Sequence, residues 1–513
     1  MNVIASGSAN YLERITASRQ MQQQRAAASR SSASALDYGG ANTRVTLGGN
    51  SANGSVYSKP GAVRNDVASQ MSLNLNGSGL ANRWRGLGGA LLNQLSETGE
   101  NFKQSLTESR PTAAAAAGDA AGAAAATDAA AATDEASGVL TGAATVSLKI
   151  QTRSGQTVEL KIASNDGGLG TRGLEVEVNS SGPLSSAEKD ALADLADGLD
   201  RALDGLGQGA PALDLSKLMN VDSSVISGLD LKVEDPKGLL PNAAPGSLGS
   251  FALHLGADKK SIEMKGVNGD LSISVDATSK LGSGGAAQRY SAIDKMLQQI
   301  DAAAERGHAD PQLAATFKAG FLQLQAPSAE QGRQDGGSSD KSERSRHLAV
   351  SMLVDDESNP AMSPSLSDEV GKLRSGLADF DASFSGDTQK TNKYGAVKEQ
   401  GHAAYAISQH TSMKPGSGGE GQSVTETQHE KLTANFLRTR TTMLDPSSGN
   451  YDSTRINDEK TITTLIETAK NGISRALRKT DEQQSLIFDS FEKGRSTVHR
   501  ETPVNRSYVE RLR

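Results

Sequence analysis

From residue 145 onward, apolar and polar residues alternate with period two. Val146, Leu148 and Ile150 share one side, and after a Ser154–Gly155 turn Val158, Leu160 and Ile162 repeat the pattern. A strand puts successive side chains on opposite faces, so this spacing predicts a hairpin with one buried face. Leu174, Val176 and Val178 predict a third strand. The period then changes. Ser185-x-x-Glu188 reads as a capping box, with Leu192, Leu195, Leu199, Leu203 and Leu206 on one helical face behind it. Further alternating runs follow at Leu229–Val233, Phe251–Leu255, Ile262–Met264 and Leu271–Val275. Two helices are predicted over 290–306 and 311–325, with Pro311 in a first turn.

The C-terminal part repeats the plan more faintly. Phe380, Ala382 and Phe384 alternate, as do Tyr405, Ile407, Gln409, Thr411 and Met413. Residues 424–442 read as a long polar strand. Leu465, Ile466, Ala469, Ile473, Ala476 and Leu477 read as a helix stripe, giving a helix near 463–479. Residues 494–513 read as a polar tail. This part is expected to be a second β-plus-helix body or an extension of the first sheet. Residues 347–354 carry a short helix signal.

The N-terminal part is of another kind. Trp84, Leu87, Leu91 and Leu95, followed by Phe102 and Leu106, recur at near-helical intervals and predict an amphipathic helix over 81–106. Those first four are the candidate partner-binding residues, as a stripe that either docks on a partner or packs on its own chain. Residues 113–132 hold 15 alanines in 20 positions. Such small side chains bury too little area to offset chain ordering, so a spacer is expected. The organisation read from this is a low-complexity, mostly disordered head over 1–112, a spacer over 113–144, and an α+β core over 145–325. A linker over 326–345, a second β-rich segment over 346–493 and the tail over 494–513 complete it. The fold class is α+β, a mainly antiparallel sheet body with packed helices.

The block of strands around Leu148 and Leu160, Leu174–Val178 and the helix Ala187–Leu206 resembles one found in uncharacterised proteobacterial proteins, which often also carry a polar β-rich C-terminus like Phe380–Met413. The resemblance implies a bacterial source. That group has no assigned activity, so it implies no site residues.

Composition narrows the chemistry. The chain has no cysteine, which removes disulfide frameworks, thiolate nucleophiles and zinc ribbons together. One tryptophan, 8 tyrosines and 9 phenylalanines among 513 residues are few for an aromatic-lined cleft. The net charge of −7 argues against a chain devoted to nucleic acid, although residues 1–112 carry +5 and the remainder −12. No run of 18 apolar residues exists, so no membrane-spanning helix is expected, and Met1–Gln24 lacks the apolar core of a signal peptide. A cytoplasmic place, or export by a signal-independent route, is the expectation.

Motifs add little. Gly168-Leu169-Gly170-Thr171-Arg172-Gly173 matches a dinucleotide fingerprint, but a strand follows it where that fingerprint needs a helix N-terminus. No histidine sits in a zinc-protease spacing. His402 and His410 share strand parity, but at roughly 3.3 Å per residue they stand about 26 Å apart, too far for one metal. No cofactor, metal site or catalytic residue is assigned. The expected function is therefore a non-enzymatic interaction or scaffolding protein presenting a β-rich module, with a protein partner. The alternatives are an exported effector or appendage-associated protein using its N-terminal leader, and a hydrolase with a cryptic carboxylate site.

Overall fold

The computed structural model describes residues 46–47, 55–58, 66–77, 79–109, 143–166, 171–206, 213–239, 247–278, 286–325, 364–415, 421–470 and 472–513. All of the expected spacer but residues 143–144, the linker, the short helix at 347–354 and most of the expected head lie outside these residues. The described residues form one largely antiparallel sheet. Its strands are β1 (Thr46–Leu47), β2 (Ser55–Ser58), β3 (Phe102–Ser109), β4 (Ala144–Thr152), β5 (Thr157–Asp166), β6 (Thr171–Ser180), β7 (Ile226–Glu234) and β8 (Leu248–Leu255). They continue as β9 (Lys259–Gly266), β10 (Gly269–Asp276), β11 (Phe380–Thr391), β12 (Val397–Pro415), β13 (Gln422–Arg438), β14 (Tyr451–Ala469), β15 (Gly472–Glu492) and β16 (Arg495–Arg511). The order across the sheet is β1-β2-β3-β6-β5-β4-β7 and then β8 to β16 in sequence.

The period-two pattern explains one buried face. Leu148 lies opposite Leu160 and Leu231, and Leu160 opposite Val178. All four are almost completely buried. Each such side chain contributes about 1.5–3 kcal/mol by leaving water. The same face continues through Ile273 opposite Ala382 and Phe384 opposite Tyr405. The two β-rich segments are thus one sheet, joined where β10 pairs β11.

The helices lie on this face: α1 (Asp66–Leu75), α2 (Leu80–Trp84), α3 (Leu87–Thr98), α4 (Ser186–Leu206), α5 (Ser216–Met219), α6 (Ala286–Gly307), α7 (Pro311–Gln325) and α8 (Pro364–Leu373). The capping box closes α4: Ser185 N donates to Glu188 Oε2 at 2.8 Å, and Glu188 N donates to Ser185 Oγ at 3.3 Å. Ser154 Oγ also donates to Glu188 Oε1 at 2.6 Å, tying the cap to the β4–β5 turn. This bond leads the set that holds the Glu188 carboxyl down at about 2. Helices α3 and α4 cross closely because Gly88 has no side chain; a Cβ there would lie 2.7 Å from Leu199 Cδ2. Gly89 N donates to Asp200 Oδ1 at 2.9 Å across the same crossing. Burial pushes the Asp200 carboxyl up to about 6. Farther on, Phe317 meets Phe384 and Phe321 meets Phe380 edge-on, each at 5.0 Å between ring centres. Helix α8 packs Val370 against Val424, Ile466 and Ala476 in a separate small cluster. Beside it Arg374 pairs with Glu426 at 3.3 Å, both side chains almost wholly buried. Ser375 N donates to Glu426 Oε1 at 2.9 Å and Arg374 Nη2 to Thr411 Oγ1 at 2.9 Å.

Three expectations are corrected. The helix over 81–106 is two helices and a strand. Gly86 and Gly99, both left-handed, bound α3 at its two ends, and Phe102 and Leu106 stand in β3, paired with β6. Residues 66–109 therefore belong to the main core, and the head cannot extend to 112. The helix near 463–479 is a β14–β15 hairpin, with Ile466 opposite Ala476 and Leu465 opposite Leu477. The β-branched run Thr461–Thr464 favours strand, and the sequence Asn471-Gly472 is a strong hairpin signal. The tail over 494–513 is β16. Lys493 and Gly494, at φ 47° and 75°, make the two-residue turn into it, the left-handed pair that a tight hairpin requires.

Candidate functional site

Trp84, Leu87, Leu91 and Leu95 are all fully buried, inside the main apolar cluster with Leu195 and Leu199 of α4. The stripe is taken up by its own chain and offers a partner nothing in this fold. The accessible chemistry lies on the strands instead.

Apolar cover of the helix-bearing face thins out beyond β13. Ile456 is buried, Leu486 is half-buried, and β16 is exposed along nearly its whole length on both faces. Among the described residues strand β16 pairs only with β15, and no described strand lies along its other edge. The direction of each peptide group follows from one bond: Leu512 N donates to Ala476 O of β15 at 2.9 Å. Backbone direction alternates along a strand, so from Val498 onward, past the register shift, even-numbered residues of β16 turn their N–H and C=O toward β15 and odd-numbered ones turn them outward. Pro503 is odd-numbered and opposite Ser485, so its missing N–H costs the ladder nothing. Asn505, Ser507, Val509 and Arg511 present an unbroken outward series. Tyr508 and Val509 are 57% and 61% exposed, among the largest apolar exposures in the structure.

The bare face carries a second feature. Every described histidine has a carboxylate neighbour: His254 with Asp230 (2.5 Å), His308 with Glu399 (2.7 Å), His402 with Asp387 (2.8 Å), His410 with Asp381 (3.1 Å), His429 with Glu459 (2.9 Å) and His499 with Asp489 (2.6 Å). All but His308 stand on the bare face; His308 instead stacks on Phe436 at 4.1 Å. Hydrogen bonding by His499, with Arg455 beyond, holds Asp489 below the usual carboxylate range, and His429 does the same for Glu459.

One of these pairs extends further. Ser385 Oγ lies 3.0 Å from His402 Nε2, while His402 Nδ1 lies 2.8 Å from Asp387 Oδ1. Nucleophile, base and orienting acid stand in the order that acyl transfer uses. Ser385 also lines an open groove of about 460 Å³, with Glu263, Ser272, Ser383, Ala404 and Lys431. The setting is nevertheless wet: the Asp387 side chain is 87% exposed and His402 45%. Acyl transfer draws most of its rate from buried, preorganised oxyanion donors. Residues 168–170 of the glycine-rich motif lie outside the described residues, and Thr171–Ser180 is strand.

Among the described residues no group of three or more His, Cys, Asp or Glu is placed to hold a metal ion, and no helix is long and apolar enough to cross a membrane. No protein-family model, curated protein or solved structure matches the chain.

Proposed function

We propose that the chain is a non-enzymatic interaction protein that presents the long C-terminal strands as its binding module, with a protein strand adding to the outer edge of β16. The observation that carries this reading is the outward row of backbone groups at Asn505, Ser507, Val509 and Arg511 on a strand exposed on both faces. An added strand gains main-chain hydrogen bonds from the edge and side-chain selectivity from its alternate positions. Amide hydrogen exchange tests it. The even-numbered amides of β16 should be protected and Asn505, Ser507 and Val509 should exchange freely while the edge is open. Odd-numbered amides as slow as even ones in a lone chain would rule the open edge out.

The Ser385–His402–Asp387 geometry favours a second reading, a hydrolase acting at the adjoining groove. Labelling by a fluorophosphonate, lost in Ser385→Ala and in His402→Ala, is its signature. An unlabelled chain removes it.

A further inference from the structure

The edge of β16 is self-complementary in one register. We infer that the strand added to it is β16 of a second copy of this chain, antiparallel about a twofold axis at Tyr508; this rests on the open-edge reading above. In an antiparallel pair outward-facing residues must meet outward-facing residues, so odd must oppose odd. That leaves only axes centred on a residue. An axis at Arg506 sets that guanidinium against its own copy. An axis at Pro503 sets Arg500 against Arg506. An axis at Val504, Asn505 or Ser507 brings Pro503 inside the hydrogen-bonded series. One at Glu510 sets that carboxylate against its own copy, and one at Val509 sets Arg506 against Leu512 and Glu510 against Tyr508, leaving neither charge an opposite partner across the seam.

With the axis at Tyr508 these conflicts vanish. Asn505 meets Arg511 of the second copy and Ser507 meets its Val509, each pair occurring twice across the axis. Pro503 falls outside this series. Arg506 lies opposite the second copy's Glu510, also twice. Within one chain Glu430 opposes Lys460, Lys460 opposes Glu482, and Glu482 opposes Arg506, with 3.8 Å between the last two side chains. Glu510 opposes Arg478. Pairing the copies therefore continues a single row of alternating sign: Glu430, Lys460, Glu482, Arg506, then the second copy's Glu510 and Arg478. Opposite charges directly across strands stabilise the pair, and like charges oppose it. Pro503 and the charges are also devices that keep an edge from pairing indiscriminately. Here they pick one register out of the available set.

The test uses the full chain. Sedimentation should show a concentration-dependent monomer–dimer equilibrium. Val509→Pro removes an outward donor on both sides of the axis and no bond to β15, as Pro503 already does. It should weaken association by about tenfold or more with an unchanged melting temperature. A second readout is independent of Val509. The chain has no cysteine, so Tyr508→Cys introduces a single thiol facing its own copy across about 4.5 Å between Cα atoms, within disulfide range. Oxidation should give a covalent dimer. Thr502→Cys, whose copy stands about 40 Å along the strand, should give none. A chain that stays monomeric and leaves Tyr508→Cys uncrosslinked, with Asn505, Ser507 and Val509 amides exchanging freely, overturns self-pairing while the open edge stands. The same monomer with those amides protected overturns the open edge as well.

Discussion

Strands β4–β11 and strands β14–β16 use the same ladder and differ in what covers it. In the first region one face meets helices, and Leu160, Ile162, Val176 and Ile273 are essentially sealed from water. In the second α8 covers only one end of β14 and β15, no described helix covers β16, and side chains meet mainly across strands, as Arg455 with Asp489 and Glu482 with Arg506. Each such exposed pair contributes only ~0.2–1 kcal/mol. The bare strands are long, β15 running for 21 residues against 8 for β10. Length lets many weak cross-strand terms and a continuous ladder substitute for a core. The comparison teaches that a sheet can project past its own apolar centre if its faces are polar and its neighbours are already ordered.

The covered region should lose the most stability to a single substitution. Phe321→Ala, removing a fully buried ring set edge-on to Phe380, should cost ~3–5 kcal/mol in denaturant unfolding, whereas Thr461→Ala on the bare face should stay within ~0.5 kcal/mol. Equal costs would show that the bare strands hide an apolar core. Glu426→Gln strips the buried partner from Arg374 and should cost ~3 kcal/mol, read in the same experiment. Glu188→Ala should cost ~1 kcal/mol through loss of the capping box. Its pH signature is specific: the Glu188 carboxyl is held below its ordinary value, so its contribution is full above pH 4.5 and lost as pH falls toward about 2. Asp200 works in the opposite sense. Its carboxyl is raised to about 6, so its deprotonation erodes stability as pH rises from about 4 through about 6. Asp200→Asn should therefore melt higher than the parent at pH 7 and level with it below pH 4. Smallest of all, Lys149→Ala, which breaks an exposed pair with Glu159, should change stability by less than ~0.5 kcal/mol.

What could be read from the sequence followed the same division. Where one face is buried, alternation such as Val146-Leu148-Ile150 announces a strand, and the Ser185–Glu188 box announces the helix after it. Where both faces are wet no alternation is needed, so β16 resembles a tail; only its β-branched content and the Lys493–Gly494 turn betray it. The run Leu465–Leu477 fits a helical period by accident, because two strands reversing at Gly472 superpose their apolar positions. The meeting of Ser385, Asp387 and His402 was beyond reach for another reason. It depends on register, Asp387 opposite His402 with Ser385 diagonal to it, and the β11–β12 turn and the irregularity at Lys390–Thr391 set that register. The candidate edge likewise depends on which way alternate peptides turn.

The connections of β11 to β16 carry a consequence for assembly. Each of these strands pairs with the one made just before it, whereas β3 waits for β6, and β4 waits for β7 across two strands and the helices α4 and α5. Closing distant loops is the slow part of making a sheet. The helix-backed portion should thus set the pace of folding, while the remaining strands, whose hairpin pairings are local, are laid down quickly one after another.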